Sequence, residues 1–432
     1  MTRTTRWMLG AALIVFMISG AARAQSMRAT VDTSRPGYDP LRVPGVVRAQ
    51  GLVSILDTPR PDYDPLGIYA GAFNIKPTLR LGTEYNDNIY ATDSDRESDW
   101  IMLVNPEVDV RSDWSRHSLG LNAALLTAFY TSNSDENWLD GQILLDGRVD
   151  VQRESFFKIG AGFERLHEER GSPESDQAWD EPARYYRTSG NLSYALGLNR
   201  FSITAGAGMA NLDWKSVDLR EGGSRSLDIR DRNLYDVNAR IAYELNPDVQ
   251  PFLTTRYEWR RYDKSEAERD SRGYRIGIGT GFAITSVISG EIFGGYMAQN
   301  YDDRENIYGP WYGMSLLWNP TQLTSVEAGA QSSIKETFRE DASGIDAVEA
   351  GIRIDHELLR NLLVGAFLKY EQYDYQDEDI NDKYYSVGPS LTYFWNRNLS
   401  ARALYSYRNK NSDVSEREFY ENRFLVSISG HF

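Results

Sequence analysis

The sequence predicts an all-β fold: a transmembrane antiparallel up-and-down β-barrel of about 18 strands, preceded by an extended N-terminal periplasmic segment. Three observations predict it. Apolar and polar residues alternate with a period of two through one segment after another, the pattern of a strand with one greasy and one wet face. The connections between these segments are alternately short and long. The last segment sets Phe424, Val426, Ile428, Gly430 and Phe432 on one face and Ser427, Ser429 and His431 on the other. In a soluble protein that uncovered greasy face and open edge would invite aggregation. In a closed membrane barrel, lipid covers the face and the first strand pairs the edge, so Phe424, Val426, Ile428 and Phe432 form a candidate assembly signal.

The elements follow in order. Residues 1–24 read as a secretory signal for the Sec pathway. Arg3 and Arg6 are its charged start, Met8 to Gly20 its apolar core and Ala22-Arg23-Ala24 its cleavage site, so the mature chain is expected to begin at Gln25. The apolar run is short for the ~20 residues of a spanning helix. Residues 25–72 are rich in Pro, Gly and Asp and read as a periplasmic leader. They contain a repeat, Arg35-Pro36-Gly37-Tyr38-Asp39-Pro40-Leu41 and Arg60-Pro61-Asp62-Tyr63-Asp64-Pro65-Leu66. Two prolines per copy forbid helix and disfavour a central strand. Arg35, Tyr38, Asp39, Arg60, Tyr63 and Asp64 are the candidate docking residues for a periplasmic partner. The alternatives are a plain spacer or a segment lying in the pore.

Residues 73–432 read as the outer-membrane barrel. Strands are expected near 73–86, 100–113, 119–131, 139–152, 156–167, 184–196, 201–213, 232–245, 249–262, 272–284, 287–300, 307–318, 323–336, 344–357, 362–375, 383–395, 399–410 and 419–432. The alternation is plain at Leu253, Thr255, Tyr257 and Trp259 against Thr254, Arg256, Glu258 and Arg260. Connections such as Arg153–Ser155 and Asn396–Asn398 are tight, whereas Asp93–Asp99, Glu168–Pro182 and Lys215–Asp231 are long and acidic. That asymmetry assigns short turns to the periplasm and long loops to the outside, and an even strand number places both ends in the periplasm. Trp114, Trp318 and Trp395 beside short turns, and Trp100, Trp138, Trp214, Trp259 and Trp311 near long loops, suggest two aromatic belts at the membrane interfaces.

Composition narrows the function. There is no cysteine, so packing and backbone ladders hold the strands rather than disulfides. The formal charge of −15 argues against nucleic acid, whose phosphates demand basic patches. The mean hydropathy of −0.51 does not exclude a barrel, because alternating strands average out. On the expected register Arg80, Glu84, Asp109, Arg148, Asp150, Arg240, Arg256, Glu258, Arg260, Glu349, Arg353 and Arg402 line the lumen. Charges of both signs in a wet lumen suit a channel or an internal ion-pair network. Gly160, Gly162, Gly206, Gly208, Gly277, Gly279 and Gly281 are expected to leave room for a channel, as 16–18 strands also would. Loops 168–182 and 215–231 are the ones long enough to fold inward. No catalytic residues are expected: His167, beside Glu164, Glu168 and Glu169, has no nucleophile motif with it. Neither a metal nor a cofactor is expected; the acidic loops at 93–97 and 377–379 lack the glycine and final glutamate of a helix–loop–helix calcium site and read as solvated.

Arg60 to Ile68, the first strand Ile75-Lys76-Pro77-Thr78-Leu79-Arg80-Leu81-Gly82 and Glu84-Tyr85-Asn86-Asp87-Asn88-Ile89-Tyr90 resemble the opening of a family of outer-membrane barrels, the β-barrel porin type 2 group. The likeness covers roughly residues 60–432, with the opening block its specific part. Members are often found in loci for exopolysaccharide synthesis and export. The resemblance therefore implies a porin-like barrel of a Gram-negative outer membrane that takes part in exopolysaccharide secretion. The rival readings are a non-conducting barrel that anchors a periplasmic export complex, and a general diffusion porin. Expected partners are outer-membrane lipid and lipopolysaccharide, the barrel assembly machinery, periplasmic polysaccharide export proteins, and a polysaccharide or small solute.

Overall fold

The computed structural model describes residues 52–432, apart from 265–267, 286 and 340. The signal segment and the first repeat copy, with Arg35, Tyr38 and Asp39, lie outside the described residues.

Eighteen long antiparallel strands follow one another around a closed cylinder. They are β1 (Phe73–Asn86), β2 (Asp99–Ser112), β3 (Ser118–Tyr130), β4 (Trp138–Gln152), β5 (Ser155–His167), β6 (Arg184–Leu198), β7 (Phe201–Trp214), β8 (Arg232–Tyr243) and β9 (Val249–Tyr262) on one half. The other half is β10 (Ser271–Phe282), β11 (Ile288–Tyr301), β12 (Ile307–Thr321), β13 (Thr324–Lys335), β14 (Ile345–Leu359), β15 (Leu362–Tyr375), β16 (Ile380–Asn396), β17 (Leu399–Ser412) and β18 (Phe419–His431). The cylinder closes by pairing Thr78–Asn86 of β1 with Arg423–His431 of β18. Closure removes the unpaired edge that an open sheet would present. A three-residue strand, Ile68–Ala70, pairs back onto the start of β1.

Alternation along each strand decides which side chain meets lipid. On β10, Ile276 and Ile278 point outward while Arg275, Gly277 and Gly279 point inward. Ile278 is 69% exposed and Met102 of β2 is 62% exposed, values that water would not tolerate around the whole girth of a protein. The strands are long enough to cross: even 12 residues at ~3.3 Å each, tilted by about 40°, span the ~25 Å apolar band of such barrels.

Three ladders are interrupted at a proline: β2–β3 skips Asn105 and Pro106, β16–β17 skips Gly388 and Pro389, and the β12–β13 break is the longest. Pro310 of β12 has no N–H to give, and β12 pairs with β13 only from Gly313 onward. The Ser332 hydroxyl bridges the gap, donating to the Pro310 carbonyl at 2.9 Å and accepting from the Tyr312 amide at 2.9 Å.

The aromatic belts need a correction. Trp100, Trp114, Trp318 and Trp395 face outward and are exposed. Trp138, Trp214 and Trp311 lie on the inner face: Trp214 is buried against Tyr185 and Trp311 packs on Phe293. Position along a strand sets depth, but parity sets the face, and these three have the parity of the lumen.

Candidate functional site: the barrel interior and its two constrictions

All twelve candidate lumen residues carry inward parity, and most are drawn into local ion pairs. Asp109 and Asp146 flank Arg111 at 3.1 and 2.5 Å. Arg148 pairs with Asp150 at 2.7 Å and stacks over the Phe156 ring at 3.7 Å. Arg240 reaches Glu291 at 3.0 Å and lies over Phe252 at 3.5 Å. Glu258 accepts from Arg260 at 2.5 Å and from Arg275 at 3.4 Å, and Arg256 pairs with Asp236 at 3.1 Å. Glu349 holds Lys335 at 2.6 Å. Arg80 donates to Ser429 and Asn105 across both neighbouring strands. Glu84, buried on the same strand, comes two residues before Asn86, which donates to Glu421. Charges two residues apart on one strand, or opposite on the next, are neighbours on the same face, which is why the alternation builds pairs rather than isolated charges.

The inward glycines do less for the channel than expected. A Cβ at Gly208 would meet the Asp236 carboxylate at 2.6 Å, one at Gly277 the Trp311 ring at 3.2 Å, and one at Gly279 the Phe252 ring at 2.6 Å. Larger side chains on adjacent strands lie flat across these positions, so the vacated space is already filled.

At the long-loop end, loop 168–183 folds into the barrel and crosses to the far wall. It leaves β5, yet Glu169 pairs with Arg423 of β18 at 2.6 Å. The Gly171 carbonyl accepts from Tyr384 of β16 at 3.0 Å, and the Pro173 carbonyl accepts from Tyr375 of β15 at 2.9 Å. Gly171 has φ +73° and a Cβ there would meet the Phe419 ring at 2.6 Å, so both backbone and space demand glycine. Glu174 accepts from the Thr337 hydroxyl and the Phe338 amide, joining loop 336–344. Arg230 of loop 215–231 fixes the arrangement. It donates to Glu168 at 2.7 Å and to the Glu174 carbonyl at 3.0 Å, and sits within 5.3 Å of the Trp179, Trp214 and Phe338 rings. Arg170 grips the buried Glu136 with two hydrogen bonds of 3.0 and 2.5 Å. Trp179 and Arg170 of this loop are almost wholly buried, as is Glu136 from the loop after β3.

Buried charges here behave as their partners dictate. Burial pushes the Glu168 carboxyl above its usual range, and Arg230 only partly offsets this. Burial acts the same way on Glu169, but Arg423 and Arg408 outweigh it and hold that carboxyl below its usual range.

At the short-turn end the second repeat copy enters the mouth. The Ile55 amide donates to Ser325 of β13 at 2.6 Å, and Arg60 pairs with Glu357 of β14 at 3.1 Å, both side chains of the pair being buried. Tyr63 meets the Phe394 ring at 6.2 Å and Arg397 donates to the Pro61 carbonyl at 2.9 Å. The Asp64 carboxylate turns back on the Arg60 amide at 2.6 Å. Leu56 closes one side of a cavity of about 240 Å³ in which Arg353 and Arg402 come together with Asp355, Ser390 and Thr392.

Sequence reasoning missed Leu56, Glu169, Gly171, Glu174, Arg230 and Phe338. The one signal was the length of loops 168–182 and 215–231, with Trp179, Pro173 and Pro182 in the first. His167, the weak catalytic candidate, is taken up by Asp140 at 3.0 Å and stacks on Trp138.

The inner wall, two constrictions and girdle of exposed apolar side chains define a porin-like barrel of the outer membrane. Residues 60–432 match the family described as "Putative beta-barrel porin 2", and the chain belongs to it. Solved structures with a similar overall course include OpdL of Pseudomonas aeruginosa, at 12% identity and a TM-score of 0.44, covering 84% of this chain and 100% of that one. OccAB4 of Acinetobacter baumannii, at 13% identity and a TM-score of 0.46, covers 87% and 100%. No curated protein matches the chain.

Proposed function

We propose that this barrel is a gated pore that takes part in exopolysaccharide secretion across a Gram-negative outer membrane. On this reading residues 1–24 direct export through the Sec pathway and residues 25–72 remain in the periplasm as a leader. The outward residues Phe424, Val426, Ile428 and Phe432 are read by the barrel assembly machinery. The observation that carries the gate is loop 168–183, which spans the lumen and meets the far wall through polar ties, among them Glu169 to Arg423, the Gly171 and Pro173 carbonyls to Tyr384, Tyr375 and Arg417, and Glu174 to Thr337 and Phe338. Polar ties of this kind can be exchanged for those of a polar solute, the neutral ones being worth ~1 kcal/mol each against water and the charged ones ~1.5–3 kcal/mol. The inner wall supports a hydroxyl-rich or acidic sugar as that solute. Its arginine–carboxylate pairs offer in-plane donors and acceptors to hydroxyl and carboxylate groups.

Planar-bilayer recording tests the reading. The full chain is expected to conduct weakly, and replacement of residues 170–181 by a short Gly-Ser connection is expected to raise conductance at least tenfold. Long acidic oligosaccharides should then block the current. Silence from both proteins would remove the pore and leave the barrel as an anchor for a periplasmic export complex. Unselective current without sugar block would leave a general diffusion porin.

A further inference from the structure

The rim contacts of the second repeat copy show what that repeat is built to do. Arg60 accepts the Tyr63 and Asp64 amides on its carbonyl at 2.8 and 2.7 Å, a tight turn with Pro61 at its second position. Its guanidinium gathers the Ile55 and Thr58 carbonyls and then Glu357. Ser54 donates to Asp57 at 3.2 Å, and Thr58 donates to the Ser54 carbonyl at 3.0 Å.

Aligned on the offset of 25, the repeat extends upstream of its arginine. Val31-Asp32-Thr33-Ser34-Arg35-Pro36-Gly37-Tyr38-Asp39-Pro40-Leu41 stands against Leu56-Asp57-Thr58-Pro59-Arg60-Pro61-Asp62-Tyr63-Asp64-Pro65-Leu66. Asp57, Thr58, Arg60, Pro61, Tyr63 and Asp64, which make the turn and the rim contacts, are all matched by identical residues in the first copy. Leu56, which packs into the cavity, is matched by Val31. Within residues 56–66 the positions that differ outright are Pro59 and Asp62, both exposed; upstream, the buried Ser54 and Ile55 stand against Ala29 and Thr30. The shared residues are those that carry the turn, the ion pair to Glu357 and the ring contact to Phe394, and Ile55 meets the rim through its backbone amide, which Thr30 also supplies.

We infer that the rim site made by Glu357, Phe394 and Arg397 is a receptor for the sequence Asp-Thr-x-Arg-Pro-x-Tyr-Asp-Pro, and that residues 32–40 take this site in exchange for residues 57–65 of the same chain. The tether makes the exchange intramolecular. Residues 42–72 can extend by roughly 3.3 Å each, far more than the distance across the mouth, and a tethered segment competes at millimolar effective concentration. The leader is thus latched at either of two lengths: residues 67–72 or residues 42–72 separate the docked copy from β1. In both positions an apolar residue, Leu56 or Val31, sits against the cavity, while the undocked copy is displayed to the periplasm. The exchange holds whatever solute the pore carries.

Peptide binding to the full chain in detergent micelles tests it, with fluorescence anisotropy of a labelled peptide of residues 29–42 as readout. Arg35→Ala with Arg60→Ala disables both resident copies and should open the site to this peptide. Arg35→Ala within the peptide, or Glu357→Gln added to the protein, should weaken binding at least tenfold. The chain carrying Arg60→Ala alone should bind the peptide at least tenfold more weakly than the double variant, at every protein dilution, because its own residues 32–40 hold the site. Heat-modifiable migration confirms that each variant is folded. Failure of the 29–42 peptide to bind the double variant would overturn the proposal, as would binding indifferent to Glu357→Gln. Equal binding by the Arg60→Ala and double variants would overturn the same-chain exchange.

Discussion

A single backbone atom decides the seat of the inward loop. Gly171 combines a left-handed φ of +73° with contact to Phe419, so Gly171→Val adds strain of about 1 kcal/mol or more on top of a clash with a packed ring. The variant is expected to fold, since the strands are untouched, but to conduct more than the parent in bilayers. Beside it, Glu169 gives the loop a pH response. Its carboxyl titrates below the usual value of 4.5 when seated, so the tie to Arg423 is fully present above that pH and is lost as pH falls through the depressed value. Glu168 works the other way: its raised carboxyl costs the seat stability as pH rises, and protonation relieves that cost. Glu169 reaches the far wall, so its loss is expected to dominate as pH falls through its depressed value, with conductance rising on acidification. Glu169→Gln should conduct at neutral pH as the parent does in acid, and should show no further rise. An acid response that survives Glu169→Gln would assign it to another group.

At the scale of the element, alternation made the strands legible and left their interruptions hidden. Expected and observed strands agree in number, and most ends lie within two residues, because period-two patterning is imposed by lipid on one side along the whole strand. The start of β16 falls at Ile380 rather than near 383, where Asp382 is buried between Lys410 and Arg417 as an inward strand residue, although it reads as part of an acidic loop. The break between β12 and β13 was illegible too, since it depends on Ser332 meeting Pro310 from another strand. Ser332→Ala there leaves the Tyr312 amide without its acceptor at a cost of about 1–3 kcal/mol. Hydrogen exchange should show faster turnover confined to the Tyr312 region, with the other strands unchanged. Length singled out loops 168–182 and 215–231, but their ties were hidden for a deeper reason: loops carry no period, and Arg230 or Glu174 means something only once three loops from distant parts of the chain converge. The docked leader was half legible, since its repeat announced a ligand and nothing in the sequence pointed to Glu357, Phe394 and Arg397 as the receptor.

For the whole molecule, lipid outside and paired charge inside must be satisfied by one cylinder, and the seam between β1 and β18 is where both demands meet the chain's two ends. Val426 lies midway along β18, opposite Thr83 of β1 and Ala403 of β17, with its side chain outward. Phe432 is the outward residue at the short-turn end and is 63% exposed. A charge on the lipid face costs most at mid-depth, where neither interface is within reach of a snorkelling side chain. Val426→Arg is therefore expected to lower stability by about 2–4 kcal/mol and Phe432→Arg by about 0–1 kcal/mol. Urea titration of the barrel refolded in lipid vesicles measures both. Inward positions obey a different rule. Arg402, two residues upstream of Leu404, faces the cavity with Arg353, and its charge is carried at membrane depth because the lumen is polar there. The two faces of one seam should thus respond oppositely to charge. If Val426→Arg and Phe432→Arg cost the same, the outer face is not bounded by a bilayer, and the reading of this cylinder as a membrane barrel fails with it.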